Sequence, residues 1–124
     1  MHKVEDLKIW QKSIELTKLV YDAVLSLPSN EKYGLTSQIK RSVISISSNI
    51  AEGAGRNSDK EFKQFLSIAN GSSYELQTQL ILTVELNLIS NDKIQSIVKL
   101  LVEVQKMNYS LQKSLDKKIQ NTQY

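Results

Sequence analysis

The sequence predicts an all-α protein that folds as an antiparallel, up-down four-helix bundle, and three observations support this. Only one proline, Pro28, and four glycines occur in 124 residues, whereas sheet proteins need turn residues every 8 to 12 positions or so. Apolar residues recur at steps of three and four in four successive segments, which is the spacing of one helix face. Short polar stretches join the segments, so consecutive helices are expected to lie antiparallel.

The first segment carries two apolar series on adjacent faces of one predicted helix, which ends before Pro28. The first series is Leu7, Trp10, Ile14, Thr17, Tyr21 and Val24. The second series is Ile9, Leu16, Val20, Ala23 and Leu27. Together they form an apolar arc wider than two neighbouring helices would cover. We therefore expect an interface between copies of the chain, with the candidate residues Ile9, Leu16, Val20 and Leu27.

The second segment begins at Leu35 and has a narrow apolar stripe beside a polar side. The stripe consists of Leu35, Ile39, Val43, Ile46 and Ile50. The polar side consists of Gln38, Arg41, Ser42, Ser45, Asn49 and Glu52. Small, hydrogen-bonding groups of this kind predict a close approach of two helices or a polar network. Gly53 and Gly55 are predicted to stop the helix.

The third segment opens with Ser58 to Glu61, which has the S-x-x-E form of a capping box before an apolar run. Its stripe begins at Phe62 and continues to about Leu88. Gly71 lies within this helix and costs roughly 1 kcal/mol relative to alanine. We therefore expect a close backbone crossing near Ala69–Ser73 to explain the glycine.

The fourth segment follows Ser90, Asn91 and Asp92, which break the pattern and supply N-capping groups. Its apolar stripe is Ile94, Ile97, Val98, Leu101, Val104, Leu111 and Leu115. Residues from about 117 to 124 lack periodicity and are predicted to fray. The whole chain, residues 1–124, is predicted to form a single domain, because one core commonly occupies about 100 to 150 residues.

Composition and charge limit the classes of function. The chain has no cysteine, which excludes disulfides, thiolate metal sites and a cysteine nucleophile. No apolar run approaches the ~18 residues of a membrane span, so we expect a soluble, cytoplasmic protein without a membrane partner. The net charge is +3, with four basic residues against two acidic in 31–58 and six against three in 91–124. This charge is compatible with a polyanionic partner.

Three stretches resemble a family of four-helix bundle proteins that includes those encoded in intervening sequences of bacterial 23S ribosomal RNA genes. They are "DLKIWQKS" (6–13), "EKYGLTSQIKRSVISISSNIAEGAGR" (31–56) and "EFKQFLSIANGSSYEL" (61–76). The resemblance extends from about Asp6 to Leu88. It implies an up-down bundle that assembles as a ring, typically a homopentamer. It also implies kinship with the retroelement accessory variability determinant protein, a pentameric bundle thought to bind nucleic acid and a reverse transcriptase.

One departure from the family pattern lies in the second helix. Many relatives carry paired arginines where this chain has Lys40 followed by Arg41. Lysine presents a point charge without the planar fork of arginine, so bidentate phosphate contact is less favoured here.

The stretch from Asn49 to Glu61 admits two interpretations. Its sequence "GAGR" lacks the third glycine of a dinucleotide fingerprint and the Gly-Lys-Ser/Thr of a P-loop. A corner between two helices is therefore favoured over a phosphate-binding loop. Arg56 and the amide groups that open the third helix remain a candidate anion contact.

The chain has only two arginines, and each has a structural and a functional interpretation. Arg41 is expected to pair with Glu75 or Glu52, with phosphate contact as the alternative. For Arg56 the two interpretations are left open. The candidate nucleic-acid-binding residues are Lys40, Arg41, Arg56 and Lys60.

We expect no catalytic, cofactor-binding or metal site. Carboxylate metal centres in bundles pair glutamates with a Glu-x-x-His motif, and the single histidine, His2, lies outside the bundle. The serines of the second helix have no base at a defined spacing. Aromatic residues such as Trp10, Tyr21 and Tyr74 are expected in the core or an interface rather than stacked on bases. The lysines of the fourth segment are expected to solvate an outer face.

Two classes of function remain, and neither involves an enzyme, a cofactor or a small-molecule substrate. The first is a ring-forming, homopentameric protein that binds RNA or DNA through a basic surface, because repetition multiplies a weak positive patch. The second is a scaffold that assembles with a protein partner and has no nucleic-acid role.

Overall fold

The computed structural model describes residues 3–122, and these residues are mostly helical. Short 3₁₀ turns occupy Val4–Asp6 and Ser29–Glu31. No strand occurs within the described residues, so the predicted all-α class is confirmed. The long helices are α1 (Lys8–Val24), α2 (Leu35–Ala54), α3 (Asp59–Glu85) and α4 (Asn91–Thr122).

The four helices form a bundle in which chain neighbours lie side by side. Helix α1 packs on α2, α2 on α3, and α3 on α4, and α4 also contacts α1, which closes the bundle. Residues 55–58 join α2 to α3, and residues 86–90 join α3 to α4. Connections this short between contacting helices make the neighbours antiparallel. The architecture is the predicted antiparallel four-helix bundle.

Each helix buries one apolar face in a common core, as the stripes predict. Burial of each large apolar side chain stabilises the fold by about 1.5–3 kcal/mol relative to exposure. The core side chains of α2 are Ile39, Val43, Ile46 and Ile50. Those of α3 include Phe62, Leu66, Ala69, Leu76 and Leu80. Those of α4 include Ile94, Ile97, Leu101, Val104 and Leu115.

The candidate interface residues of the first helix are core residues of their own chain. Leu16 and Val20 are 0% exposed, Ile9 is 4% exposed and Leu27 is 9% exposed. These four side chains are therefore not available to a second copy, which corrects the sequence prediction. The face that α1 leaves partly uncovered carries the other series, including the half-buried Ile14. The apolar spacing identified two apolar faces of α1, but it did not show which of the two packs into the core.

A polar seam joins α2 to α3, in agreement with the prediction of a polar network. The Ser42 hydroxyl donates to Glu75 Oε1 at 2.7 Å. The hydroxyls of Ser45 and Ser72 lie 2.8 Å apart and share a hydrogen bond. Asn49 Nδ2 donates to the Ser45 carbonyl oxygen at 2.8 Å. These short side chains let the two backbones approach while satisfying their polar groups.

A close helix approach in this seam lies at Gly53, not at Gly71. A Cβ atom on Gly53 would lie 2.7 Å from Phe65 Cβ and 3.2 Å from the Phe62 carbonyl oxygen, whereas a Cβ on Gly71 would meet nothing within 4 Å. Gly53 is also helical, inside α2, and Gly55 is the C-cap. The sequence therefore assigned the close crossing to the wrong glycine and treated Gly53 as a helix stop.

Helix α3 ends at Glu85, three residues before its apolar stripe does. Asn87 adopts a left-handed conformation with φ 59°. Its N–H donates to the Val84 carbonyl at 2.9 Å, and the Leu88 N–H donates to the Thr83 carbonyl at 2.8 Å. This is a Schellman motif with asparagine at the left-handed position. Apolar spacing cannot detect it, because Leu88 contacts the core from outside the helix.

Helix α4 continues to Thr122, beyond the point where the sequence loses periodicity. Lys117 and Lys118 are exposed on this last part of the helix, and Ile119 is half-buried. The segment predicted to fray, from about residue 117, is therefore helical as far as Thr122. Residues 123 and 124 of the predicted frayed segment lie outside the described residues.

Residues 3–122 contain no helix with the length and apolar character that a membrane span requires.

The two glycines provide a matched test of the α2–α3 packing. We expect Gly53→Ala to lower the free energy of unfolding by about 1–3 kcal/mol, because the added methyl overpacks the seam. Gly71→Ala should raise it by about 0.5–1 kcal/mol, because it improves helix propensity without a clash. Chemical denaturation of both variants measures the difference. A Gly53→Ala protein as stable as the parent would contradict the close approach.

Candidate nucleic-acid interface

The stretch from Asn49 to Glu61 is a corner between α2 and α3, as the sequence favours. The Ser58 hydroxyl accepts a hydrogen bond from the Glu61 N–H at 3.1 Å, and the helix begins at Asp59. The Ser58 hydroxyl also donates to Glu61 Oε2 at 3.1 Å. The S-x-x-E signature therefore caps α3. The capping side chain, rather than a bound anion, satisfies this N–H of the first turn.

Arg56 is held at the corner by its own chain. Its guanidinium lies 3.1 Å from Glu52 Oε1 and 3.9 Å from Glu61 Oε1. The same group lies 4.8 Å from the centroid of the Phe65 ring. An anion at this position would compete with two carboxylates for one cation. The geometry therefore favours the structural interpretation that the sequence left open for Arg56.

Arg41 does not form the ion pair that the sequence predicts. Glu75 accepts a hydrogen bond from Ser42 instead, and Glu52 pairs with Arg56. The Arg41 side chain is exposed on the outer side of α2, and it takes part in none of the ion pairs found within residues 3–122. Its expected internal pairing is wrong, so its guanidinium is free to meet solvent or a ligand.

The four candidate nucleic-acid-binding residues do not form one cluster. Lys40 is half-buried against α1, with Nζ 4.9 Å from the Tyr21 ring centroid. Arg56 contacts Phe65 on α3. Lys60 is exposed in the first turn of α3 and lines a groove on the side of α3 that faces α4. Of the four, Lys60 is the one that lines this groove.

This groove is long and open, lies between α3 and α4, and is here called the α3–α4 groove. Three adjoining depressions compose it, and they share lining residues along both helices. Its positive side chains are Lys60, Lys63, Lys106 and Lys113. Its aromatic side chains are Tyr74 and Tyr109, which are 55% and 64% exposed. The groove thus combines cations with exposed aromatic rings, which is the composition of single-strand binding surfaces.

The floor of the groove is a network of amide side chains. Gln105 Nε2 donates to Gln77 Oε1 at 3.0 Å. Asn108, which is 2% exposed, donates from Nδ2 to the Leu66 carbonyl at 2.9 Å. Gln112 Nε2 donates in turn to Asn108 Oδ1 at 2.6 Å. The first two of these hydrogen bonds join α4 to α3 below the exposed rings, and the third, within α4, orients the Asn108 amide.

The charge of the groove is positive after its internal ion pair is counted. Among the described residues, Asp116 is the acidic side chain of the lining. Its carboxylate pairs with Lys63 Nζ. Lys60, Lys106 and Lys113 have no such carboxylate partner within residues 3–122. Lys113 Nζ instead lies 5.5 Å from the Tyr109 ring centroid.

Sequence reasoning missed this site because each of its parts has an ordinary explanation alone. Tyr74 was predicted to lie in the core or an interface, and Lys106 and Lys113 to solvate an outer face. The signal lies in register: Lys63, Asn70 and Tyr74 share one face of α3 by their spacing of seven and four. That face opposes the lysine-bearing face of α4 only once the bundle is assembled.

Within residues 3–122, no group of three or more histidine, aspartate or glutamate side chains is arranged to hold a metal ion. His2 lies outside the described residues. Two of the α2 serines, Ser42 and Ser45, bond to side chains of α3.

Comparison with known proteins identifies the family. A family model described as 23S rRNA-intervening sequence protein matches residues 5–110. The chain belongs to this family. A solved protein of unknown function from the S23 ribosomal protein family of Bacteroides thetaiotaomicron is 28% identical to it, with a TM-score of 0.78 over 85% of this chain and 98% of that chain. No curated protein matches the chain.

The match to the 23S rRNA-intervening sequence protein family covers the corner and most of the α3–α4 groove. Tyr74 and Tyr109 lie inside the matched range, whereas Lys113 and Asp116 follow it. The resemblance that the sequence motifs indicate is thereby confirmed at the level of family and fold.

The capping role of Ser58 yields a direct test of the corner. We expect Ser58→Ala to lower the free energy of unfolding by about 1 kcal/mol, because the Glu61 N–H loses its acceptor. Ser48→Ala, at an exposed position inside α2, is the matched control and should stabilise slightly through helix propensity. Thermal denaturation compares the two. Equal stability of both variants would contradict the capping assignment.

Proposed function

We propose that this protein is a non-enzymatic four-helix bundle that binds nucleic acid through the α3–α4 groove. The observation that carries the proposal is the charge of that groove, in which four lysines face one aspartate and that aspartate is already paired with Lys63. An unneutralised row of lysines along a groove attracts a polyanion. Of the four candidate residues, Lys60 belongs to this groove, and the proposal adds Lys63, Lys106 and Lys113, which the sequence did not single out for nucleic acid.

The lysines act on phosphates as point charges. Each phosphate contact releases condensed counterions, so affinity falls as salt concentration rises. Lysine lacks the planar fork that gives arginine bidentate geometry. The groove therefore supplies affinity for a phosphate backbone and little discrimination between base sequences.

We further propose that the chain assembles as a homopentameric ring, as the family resemblance implies. The support is a partly exposed apolar surface on α1, the residue that follows α1, and α2; here called the α1–α2 apolar face, it comprises Ile14, Tyr21, Leu25 and Ile44. Leu25 is 81% exposed and Ile44 is 43% exposed. Tyr21 reaches Lys40 across the two helices, and Ile44 lies one turn beyond Lys40 on the same face. Repetition of the groove in one assembly adds avidity.

The α1–α2 apolar face also supports a second function, a scaffold that binds another protein and no nucleic acid. Apolar surface of this kind commonly marks a protein contact. Co-purification after nuclease treatment separates the two functions, because a protein partner bound to the α1–α2 apolar face survives loss of nucleic acid. A nucleic-acid-binding ring instead loses its polyanion in that treatment.

The proposed groove predicts a charge-dependent loss of binding. We expect the triple variant Lys60→Gln, Lys106→Gln, Lys113→Gln to bind a labelled oligonucleotide more weakly than the parent. The slope of log affinity against log salt should fall by about 2 to 3, because about one phosphate contact is lost per lysine. Fluorescence anisotropy at several salt concentrations measures both quantities.

The control for this variant removes the same charge elsewhere. Lys3, Lys8 and Lys32 are exposed outside the groove, and their triple replacement by glutamine should leave the salt slope near the parent value. Equal losses in the two triple variants would point to net charge rather than to the groove. A parent protein that binds neither RNA nor DNA at low salt would overturn the proposed function.

The proposed ring predicts a mass of about 70 kDa for five chains of 14.1 kDa. Ile44→Glu should shift the particle toward the single-chain mass, because it places a charge in the contact. Ile68→Glu, at an apolar position on α3 that is 52% exposed, is the control and should keep the parent mass. Light scattering at micromolar concentration distinguishes these results. A parent protein of 14.1 kDa would contradict assembly.

A further inference from the structure

Two exposed tyrosines face each other across the α3–α4 groove. Tyr74 on α3 and Tyr109 on α4 line the same two adjoining depressions, together with Gln105. More than half of each tyrosine is exposed, whereas the core aromatic residue Phe62 is 1% exposed. Neither ring is therefore explained by core packing.

We propose that the groove takes single-stranded nucleic acid, with bases stacked on Tyr74 and Tyr109 and the backbone held by the neighbouring lysines. This inference rests on the proposed function and specifies its ligand. Base–aromatic stacking tolerates any sequence, because every base has a flat π face. That tolerance fits the lysine chemistry of the groove, which also lacks sequence discrimination.

The shape of the groove favours one strand over two. The axes of packed helices lie about 8–10 Å apart, so the furrow between them admits a base and a ring but not the full width of a duplex. In a duplex both faces of each base are covered by neighbours, and only the groove edges remain accessible. Tyr74 and Tyr109 can therefore stack only on bases that are not already stacked inside a duplex.

The lysines lie where the phosphates of a stacked strand would pass. Lys113 Nζ is 5.5 Å from the Tyr109 ring centroid, and Lys106 lines the same depression as both tyrosines. Asp116, the acidic member of the lining, is paired with Lys63 and therefore repels the backbone less. Lysines thus flank the two rings along one furrow, and a positive groove with aromatic rings is the combination that single-strand binding proteins use.

Four ligands of equal length separate stacking from charge. They are a single-stranded DNA of about 15 nucleotides, within the range of known site sizes, the matching RNA, the matching duplex, and an abasic strand with the same phosphates. We expect the DNA or RNA strand to bind more tightly than the duplex and the abasic strand at one salt concentration. The two single-stranded ligands show which sugar is preferred. Equal binding of the abasic strand would overturn the inference.

Variants locate the stacking. Tyr74→Leu and Tyr109→Leu should each weaken binding of the single strand by about 5- to 100-fold, with little change for the abasic strand. Tyr33→Leu is the control, because Tyr33 is 89% exposed outside the groove. A strand carrying 2-aminopurine should lose fluorescence on binding the parent protein, which reports stacking without any variant.

Failure of the inference is distinct from failure of the proposed function. If the tyrosine variants bind like the parent while the lysine triple variant loses affinity, stacking is wrong and the basic groove stands. If a duplex binds as tightly as a single strand, stacking is likewise wrong and the basic groove stands. Absence of binding by every ligand at low salt overturns both.

Discussion

The close approach of α2 to α3 at Gly53 is the constraint on which the rest of the structure depends. No side chain larger than hydrogen fits there, because a Cβ would lie 2.7 Å from Phe65 Cβ. Along this seam the short side chains of Ser45 and Ser72 bond to each other, and Ser42 bonds to Glu75. The seam sets the rotation of α3 about its axis. Lys63 and Tyr74 consequently face α4.

Helix α3 divides its surface among three tasks. One stripe enters the core, one side packs on α2 through small polar groups, and the opposite side forms a groove wall with lysine and tyrosine. Arg56 contacts two carboxylates and an aromatic ring at the corner, whereas Lys60, Lys106 and Lys113 of the groove have no carboxylate partner among residues 3–122. In general, lysines contact the phosphates of a nucleic acid, and aromatic rings stack on the flat faces of its bases.

Local signals in the sequence predicted most of the fold and little of the site. The stripes of α2 and α4 and the Ser58 cap depend on residues within one or two turns, so spacing alone identifies them. The inward face of α1, the crossing at Gly53 and the end of α3 at Asn87 depend on contacts with other segments, and spacing does not specify these. The groove needs the register of α3 against α4, which the Asn108 to Leu66 hydrogen bond reflects. Its lysines and tyrosines carry no sequence motif of their own.

The most direct test of the central claim, that nucleic acid lies in the α3–α4 groove, is photochemical crosslinking of a bound strand followed by peptide mapping. A strand with a photoreactive base should attach to peptides that contain Tyr74 and Tyr109, and excess unlabelled strand should suppress both attachments. Attachment instead to the surface around Tyr21 and Lys40, with the groove peptides unmodified, would contradict the account.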